Sequence, residues 1–179
     1  MRSAPAADAL DLGIVGLFGD LRNMTRKSFP SAKQINGNAP KYESYKEAWA
    51  RIRQAQESGF YLEAIVIEES IIADRLTSYL SAVGLLPNKH YPGLFDLVKA
   101  WKADQVQAVD KSHGDLKAAI GDEWRASRNR AVHAIVKSAP GTATPPVEDF
   151  LAEAQAAAEL GATLARAVDR WHRAQLKAG

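Results

Sequence analysis

The residues best suited to chemistry lie in one short stretch, WRASRNRAVHAIVK, at positions 124–137. It carries four cationic side chains and one histidine but no acidic side chain. Histidine exchanges a proton near neutral pH, and arginine is a permanent cation whose planar donors match phosphate oxygens. Together, these two side-chain types can cleave a phosphodiester without a metal ion.

The reaction that these side chains fit best is the cleavage of RNA. A histidine would remove the proton of a 2′-hydroxyl while an arginine neutralises the charge that gathers on the phosphorane. The products would be a 2′,3′-cyclic phosphate and a 5′-hydroxyl, and DNA would be spared because it lacks the nucleophile. Asn129 would orient the imidazole or bind a substrate oxygen. The candidate catalytic residues are therefore Arg128, Asn129 and His133.

A helix over residues 115–137 must position these side chains, with about 100° between successive residues. One sector then faces a core and holds Leu116, Ile120, Trp124, Ser127, Ala131 and Ile135. The opposite side mixes Asn129 and His133 with Arg125, Val132 and Val136, while Arg128 lies at the border. A mixed face of this kind is typical of an interface or a cleft wall. It predicts a two-fold homodimer in which both copies of Arg128 and His133 line one positive cleft.

The remaining chain reads as helices, and no segment has the period of a strand. An N-terminal extension over residues 1–40 would hold a helix at 8–24 and a loop at 28–40. A helical domain over 41–179 would contain a first core helix from about residue 41 to the break at Ser58-Gly59 and further helices at 60–83, 94–109, 115–137 and 147–176. The connections are short, so the predicted fold is all-α, an antiparallel helical bundle of four to five helices.

Helical spacing also predicts which large side chains point inward. The aromatic residues expected in the core are Tyr42, Tyr45, Phe60, Trp49, Trp101 and Trp171. The last helix is expected to turn Leu151, Leu160 and Leu164 inward. His172 is expected at a solvated helix end, and the other isolated histidines, His90 and His113, in loops.

Three further charged residues are candidates for a supporting role. Glu69 falls in the apolar stripe of Ile65 and Ile72, where an unpaired carboxylate would be costly to bury. It would hold Arg128 or Arg125 in place, or it would pair with Arg75 or a lysine elsewhere, or lie at the solvent edge. Arg130, one turn before His133, is either a contact to the RNA backbone or a plain solvated residue.

Composition limits the possible functions. The net charge is only +2, so attraction to nucleic acid must come from a local patch. The chain has no cysteine, which excludes disulfides, thiolate metal sites and cysteine nucleophiles. No pair of His, Asp or Glu has convincing metal-ligand spacing, so neither a metal nor another cofactor is expected. The lack of a signal peptide and of a membrane-length apolar run predicts a soluble cytoplasmic protein.

The segment RNRAVH, at 128–133, resembles the R-x4-6-H signature of the HEPN superfamily, including the Asn that often follows the Arg. YLEAIVIEESIIADRLTSYL, from residue 61, is similar to the long central helix of that family, and the resemblance covers about residues 41–175. It implies a small, commonly dimeric helical bundle. It also implies a metal-independent ribonuclease of a toxin–antitoxin or phage-defence system, with a possible antitoxin or other regulatory partner. Arg128 and His133 would then be catalytic, and Asn129 would assist.

The resemblance departs from the family at one position and leaves alternatives open. HepT-type toxins often carry a Tyr two residues after the His, where this chain has Ile135, so modification by a partner nucleotidyltransferase is not expected there. One alternative is an inactive HEPN-fold protein that binds RNA, a nucleotide or a protein partner. Another is an unrelated helical interaction module. A two-fold cleft lined by Arg128 and His133 would exclude the module, and His133 alone in bulk solvent would exclude the nuclease.

Overall fold

The computed structural model describes residues 39–88, 91–110, 112, 114–134, 141 and 143–178. Across these residues every regular element is a helix and none is a strand, so the predicted all-α helical bundle is confirmed. The expected helix at 8–24 and nearly all of the loop at 28–40 lie outside the described residues. The first helix begins at Ala39, which is two residues before the predicted start of the helical domain.

Within the described residues, the bundle consists of six α-helices and one π-helical segment. They are α1 (Ala39–Glu57), α2 (Tyr61–Ala82), α3 (Leu94–Asp104), α4 (Leu116–Ala118), the π segment (Ala119–Trp124), α5 (Arg125–Ala134) and α6 (Val147–Ala178). Helix α2 is central and packs against α6, α3 and α5. Within the described part of the chain, no helix is both long enough and apolar enough to cross a membrane.

Most predicted core positions are buried or half-buried, but four are exposed. The stripe of Ile65, Ile72 and Leu76 is fully buried, as is Trp101. The predictions for Tyr42, Phe60, Leu151 and Leu160 are wrong, because all four side chains are exposed. Helix α6 instead presents small residues to its neighbours, which lets the helices approach closely. Its buried positions include Ala154, Ala157, Ala158, Ala162 and Ala165.

Helix α3 ends at Asp104, five residues before the predicted end. The carbonyl oxygens of Gln105 and Gln107 accept hydrogen bonds from the ammonium group of Lys117, whose side chain is almost fully buried. Tyr79 also donates to the Asp104 carboxylate over 2.5 Å. A buried cation requires such acceptors, so the chain after residue 104 turns its carbonyl groups toward Lys117 instead of continuing the helix.

The predicted helix at 115–137 is a continuous helical run over 116–134 with a wide turn in its first half. The backbone N–H of Arg125 bonds to the carbonyl of Ile120, five residues earlier, instead of to Gly121. Four predicted inward residues, Leu116, Ile120, Trp124 and Ala131, are buried, whereas Ser127 is half-buried. Ile135 and Val136 lie outside the described residues.

A close contact between α2, α6 and the π segment surrounds a buried carboxyl group. The prediction placed Glu69 in the apolar stripe, but the fully buried residue is its neighbour Glu68. Gln56 donates a 3.3 Å hydrogen bond to Glu68 Oε1, and Oε2 has no hydrogen-bond partner. Burial raises the pKa of the Glu68 carboxyl to about 8.

Replacement of Glu68 by Gln should remove a pH dependence of folding. Because the pKa of Glu68 is higher in the folded chain than in the unfolded chain, the wild type loses stability as pH rises from about 5 to about 8. Over that range, the free energy of unfolding of the wild type should fall by about 3 kcal/mol relative to the variant. Urea denaturation at several pH values measures the difference. Glu57→Gln, at an exposed position, is the control, and equal pH profiles for wild type and Glu68→Gln would contradict the prediction.

Replacement of Gly161 by Ala should destabilise the bundle. A Cβ atom at Gly161 would overlap Glu68 Oε2 and lie 2.7 Å from Trp124 Nε1. Overpacking should cost about 1–3 kcal/mol of unfolding free energy, whereas Gly→Ala inside a helix otherwise gains up to about 1 kcal/mol. Thermal and urea unfolding measure the change. The exposed change Ala156→Gly, in the same helix, calibrates the helix-propensity contribution, and a more stable Gly161→Ala variant would refute the close contact.

Candidate functional site

Arg128 is held at the junction of α5 and α2. Its guanidinium Nη2 donates to Glu69 Oε1, and Nη1 donates to Asn129 Oδ1. The side chains of Arg128 and Glu69 are only 19% and 27% exposed. Nε of Arg128 is buried without a hydrogen-bond partner. Of the pairings left open by the sequence, the structure thus shows Glu69 with Arg128, and it places Arg75 elsewhere, beside Asp169.

His133 lies apart from this group. Its side chain is exposed, and no hydrogen bond or ion pair joins it to another residue in the described part of the chain. Arg128 and His133 are five residues apart, so their side chains diverge by about 140° on a helix. One copy of the chain therefore brings Arg128, Asn129 and Glu69 together but does not bring His133 to them.

Arg125 and Arg130, the two other supporting candidates, contact different parts of the chain. Arg125 donates from Nε to the carbonyl of Gly121 over 2.8 Å, and its guanidinium lies 5.2 Å from the centre of the Phe95 ring. Arg130 is exposed, with Nε 4.0 Å from the Glu153 carboxylate. Neither arginine contacts Glu69, so Arg125, Arg128 and Arg130 lie in three separate surroundings.

The surface beside Arg128 contains exposed apolar side chains. Val66 precedes Glu69 by three residues on α2, so the two lie on the same side of that helix, and Val66 is more than half exposed. Val132 is half-buried on α5, between Arg128 and Asn129 in its direction around the helix. A charged site bordered by apolar groups has the composition of a protein interface.

A second polar cluster joins α1, α2 and α6, and the sequence pattern did not reveal it. Arg75 forms a 2.7 Å ion pair with Asp169 and lies over the Tyr45 ring at 3.9 Å. Tyr45 donates to Asp74 over 2.5 Å. The prediction that His172 is solvated is wrong, because it is buried here with Nδ1 unpaired, and burial and then Arg75 lower its pKa. The sequence feature that could have revealed this cluster is the i, i+3 spacing of Asp169 and His172 on the inward face of α6.

Metal-ligating side chains do not gather in the part of the chain that the structure describes. No three His, Asp or Glu residues there lie close enough to hold one ion. His90 and His113 lie outside the described residues. The candidate chemistry of this chain therefore centres on Arg128, Asn129 and Glu69, with His133 on the same helix.

The Glu69–Arg128 pair should contribute measurably to stability. Because both side chains are largely buried, removal of one leaves the other without its partner, and a double-mutant cycle of Glu69→Ala and Arg128→Ala should give a coupling of about 1 kcal/mol. Urea denaturation of the wild type, both single variants and the double variant measures it. The exposed pair Arg130 and Glu153 is the matched control and should give no resolvable coupling. Equal couplings in the two cycles would contradict a positioned Arg128.

Comparison of the chain with models of known protein families, with curated proteins and with solved structures finds no match.

Proposed function

We propose that the protein is a metal-independent endoribonuclease of HEPN type that acts as a homodimer with a composite Arg/His cleft. The observation that carries the proposal is the anchoring of Arg128 by Glu69 and Asn129, with His133 presented on the exposed side of the same helix. An arginine held in place by a carboxylate is a preorganised cation, which is the form that stabilises a developing negative charge.

Each side chain has one role in this mechanism. His133 accepts the proton of the RNA 2′-hydroxyl, whose oxygen then attacks the adjacent phosphorus and displaces the 5′-oxygen of the next nucleotide. The leaving 5′-oxygen takes up a proton from water, which gives the 5′-hydroxyl. Arg128 neutralises the phosphorane oxygens, and Glu69 keeps its guanidinium in position. Asn129, bonded to Arg128 through Oδ1, has its amide N–H groups available for a substrate oxygen or the imidazole. The products are a 2′,3′-cyclic phosphate and a 5′-hydroxyl.

A second copy of the chain completes the site. His133 is exposed in the single chain and diverges from Arg128, so one protomer supplies the anchored cation without a proton acceptor beside it. Two-fold pairing through the surface that carries Val66 and Val132 would bring one protomer's His133 toward its partner's arginine. Pairing must also cover the imidazole, because a His133 that stays alone in bulk solvent would exclude the nuclease. Cytoplasmic toxin–antitoxin or phage defence, with a regulatory partner, is the setting that the HEPN resemblance implies.

Two features of the site favour a second candidate function. The imidazole of His133 has no orienting hydrogen bond within the described residues, and Glu69 already occupies part of the Arg128 fork. A catalytic histidine is usually held by a second group. The alternative is therefore a catalytically inactive HEPN-fold protein that binds RNA, a nucleotide or a protein partner through the same surface.

RNA cleavage in EDTA tests the proposal. The wild type should cut single-stranded RNA and leave cyclic phosphate ends, and both His133→Ala and Arg128→Ala should lower the rate by about 10²–10³-fold, because each removes one preorganised group. Gel analysis of end-labelled RNA with identification of product ends measures this. Arg53→Ala, which removes an exposed cation of α1, should cleave as the wild type does.

The same assay separates the alternatives. Activity that is unchanged in His133→Ala would refute the proposed site. A folded dimer that cleaves no RNA from a diverse pool, yet binds it, would favour the inactive HEPN-fold protein. Sedimentation of the wild type establishes whether the dimer forms.

A further inference from the structure

A small pocket lies between α3 and the π segment, away from Glu69. Its volume is about 140 Å³, which is below the usual range for a drug-sized ligand and is suited to a single planar group. The residues that matter for its chemistry are Phe95, Lys99, Lys102, Gly121, Asp122 and Arg125. The proposed mechanism uses none of them, so the pocket is a separate feature of the surface.

The π segment shapes this pocket. Because the Arg125 N–H bonds to Ile120, the carbonyl of Gly121 loses its α-helical partner and accepts the Arg125 side chain instead. A Cβ atom at Gly121 would lie 2.8 Å from Val98 Cγ1 and 3.3 Å from Lys102 Nζ. Only glycine therefore allows the wide turn to lie this close to α3. π-helical turns are rare and often occur at functional sites.

The pocket presents two planar groups to solvent. Phe95 is 57% exposed, which is unusual for a phenylalanine, and the Arg125 guanidinium lies over its ring. Within the described residues, the Nη atoms of Arg125 make no hydrogen bond or ion pair, since only Nε is engaged. Unstacked nucleobases bind to surfaces of this kind, on aromatic rings and on arginine planes.

The charge of the pocket favours an anion. Lys99, Lys102 and Arg125 oppose one carboxylate, Asp122, which binds Lys102 at 2.8 Å. Lys99 is exposed and has no ion pair in the described part of the chain. A free ammonium beside an exposed ring provides a phosphate contact next to a stacking surface. An acidic peptide would use the cations but would leave Phe95 without a function.

Helix α5 carries residues of both the pocket and the proposed cleft. Arg125, Asn129 and His133 follow one another at intervals of four residues, so they lie along one side of the helix. Eight residues span about 12 Å along a helix axis. A single strand bound at His133 can therefore extend to Phe95 without leaving this face.

We propose that the pocket is a subsite for one nucleotide of single-stranded RNA, with the base stacked on the exposed part of the Phe95 ring beside Arg125 and a phosphate bound by Lys99. The subsite flanks the scissile bond, and this part of the inference rests on the proposed ribonuclease function. Binding itself does not, because the pocket would hold RNA whether or not His133 cleaves it.

Equilibrium binding in a His133→Ala background tests the subsite without interference from cleavage. The probe is fluorescein-labelled single-stranded RNA of about 12 nucleotides, measured by fluorescence anisotropy at about 50 mM and about 200 mM salt. Phe95→Ala should weaken binding about tenfold through the loss of stacking. Lys99→Ala should weaken it and reduce the slope of log affinity against log salt by about 0.7, the value for one phosphate of a single strand.

Matched variants elsewhere give the comparison. Tyr42→Ala removes an exposed aromatic side chain of α1, 68% exposed, and Lys46→Ala removes an exposed lysine of the same helix. Both should leave affinity and salt slope unchanged. Phe95 and Lys99 are exposed, so their removal should not unfold the chain, which far-ultraviolet circular dichroism would verify.

The outcomes distinguish the two proposals. Pocket-dependent binding in a protein that never cleaves RNA supports the subsite and overturns the ribonuclease. Cleavage that depends on His133, together with unchanged binding in Phe95→Ala and Lys99→Ala, supports the ribonuclease and overturns the subsite. Failure of the background protein to bind the RNA at all, or pocket-dependent binding of acidic peptides in place of RNA, overturns the subsite.

Discussion

The Trp124 indole sets the position of every candidate functional group on α5. It is fully buried, and its N–H donates to the carbonyl of Ala157 over 2.8 Å, in the space that Gly161 leaves open. A buried donor must be satisfied, so this bond helps to fix the rotation of the helix that follows. Arg128, one turn later, then faces Glu69 on α2, and His133 faces outward.

The close approach of α6 to α2 requires small residues, and it encloses polar groups that an aliphatic core would exclude. Glu68 accepts a hydrogen bond from Gln56, and burial raises the pKa of its carboxyl group. The ion pair of Arg75 with Asp169 joins the same two helices farther along. Buried polar groups contribute little net stability. Any other packing of the helices would leave their hydrogen bonds unmade, which costs free energy. These contacts therefore select one arrangement of helices and keep the surface of α5 in a defined place.

Helix α5 thus carries arginines that are held toward two different neighbouring helices. Arg128 is anchored toward α2, and Arg125 is anchored toward α3 by the carbonyl that the π turn releases. Both arginines are held by neighbouring groups, which reduces the entropy lost when they bind a phosphate. The proposed cleft and the proposed nucleotide subsite follow from the same property, a cationic helix whose side chains are fixed by packing on two sides.

The sequence alone determined the helical class, the approximate helix boundaries and the inward placement of Trp124, because apolar spacing reports directly which side of a helix avoids water. It also indicated Arg128, Asn129, His133 and a paired Glu69. Tertiary structure decided that Glu68 is the buried carboxyl and that the α3 helix ends early around Lys117. It also decided that a π turn shapes a pocket at Gly121. These features depend on distances between helices, which the spacing of residues along one helix does not contain.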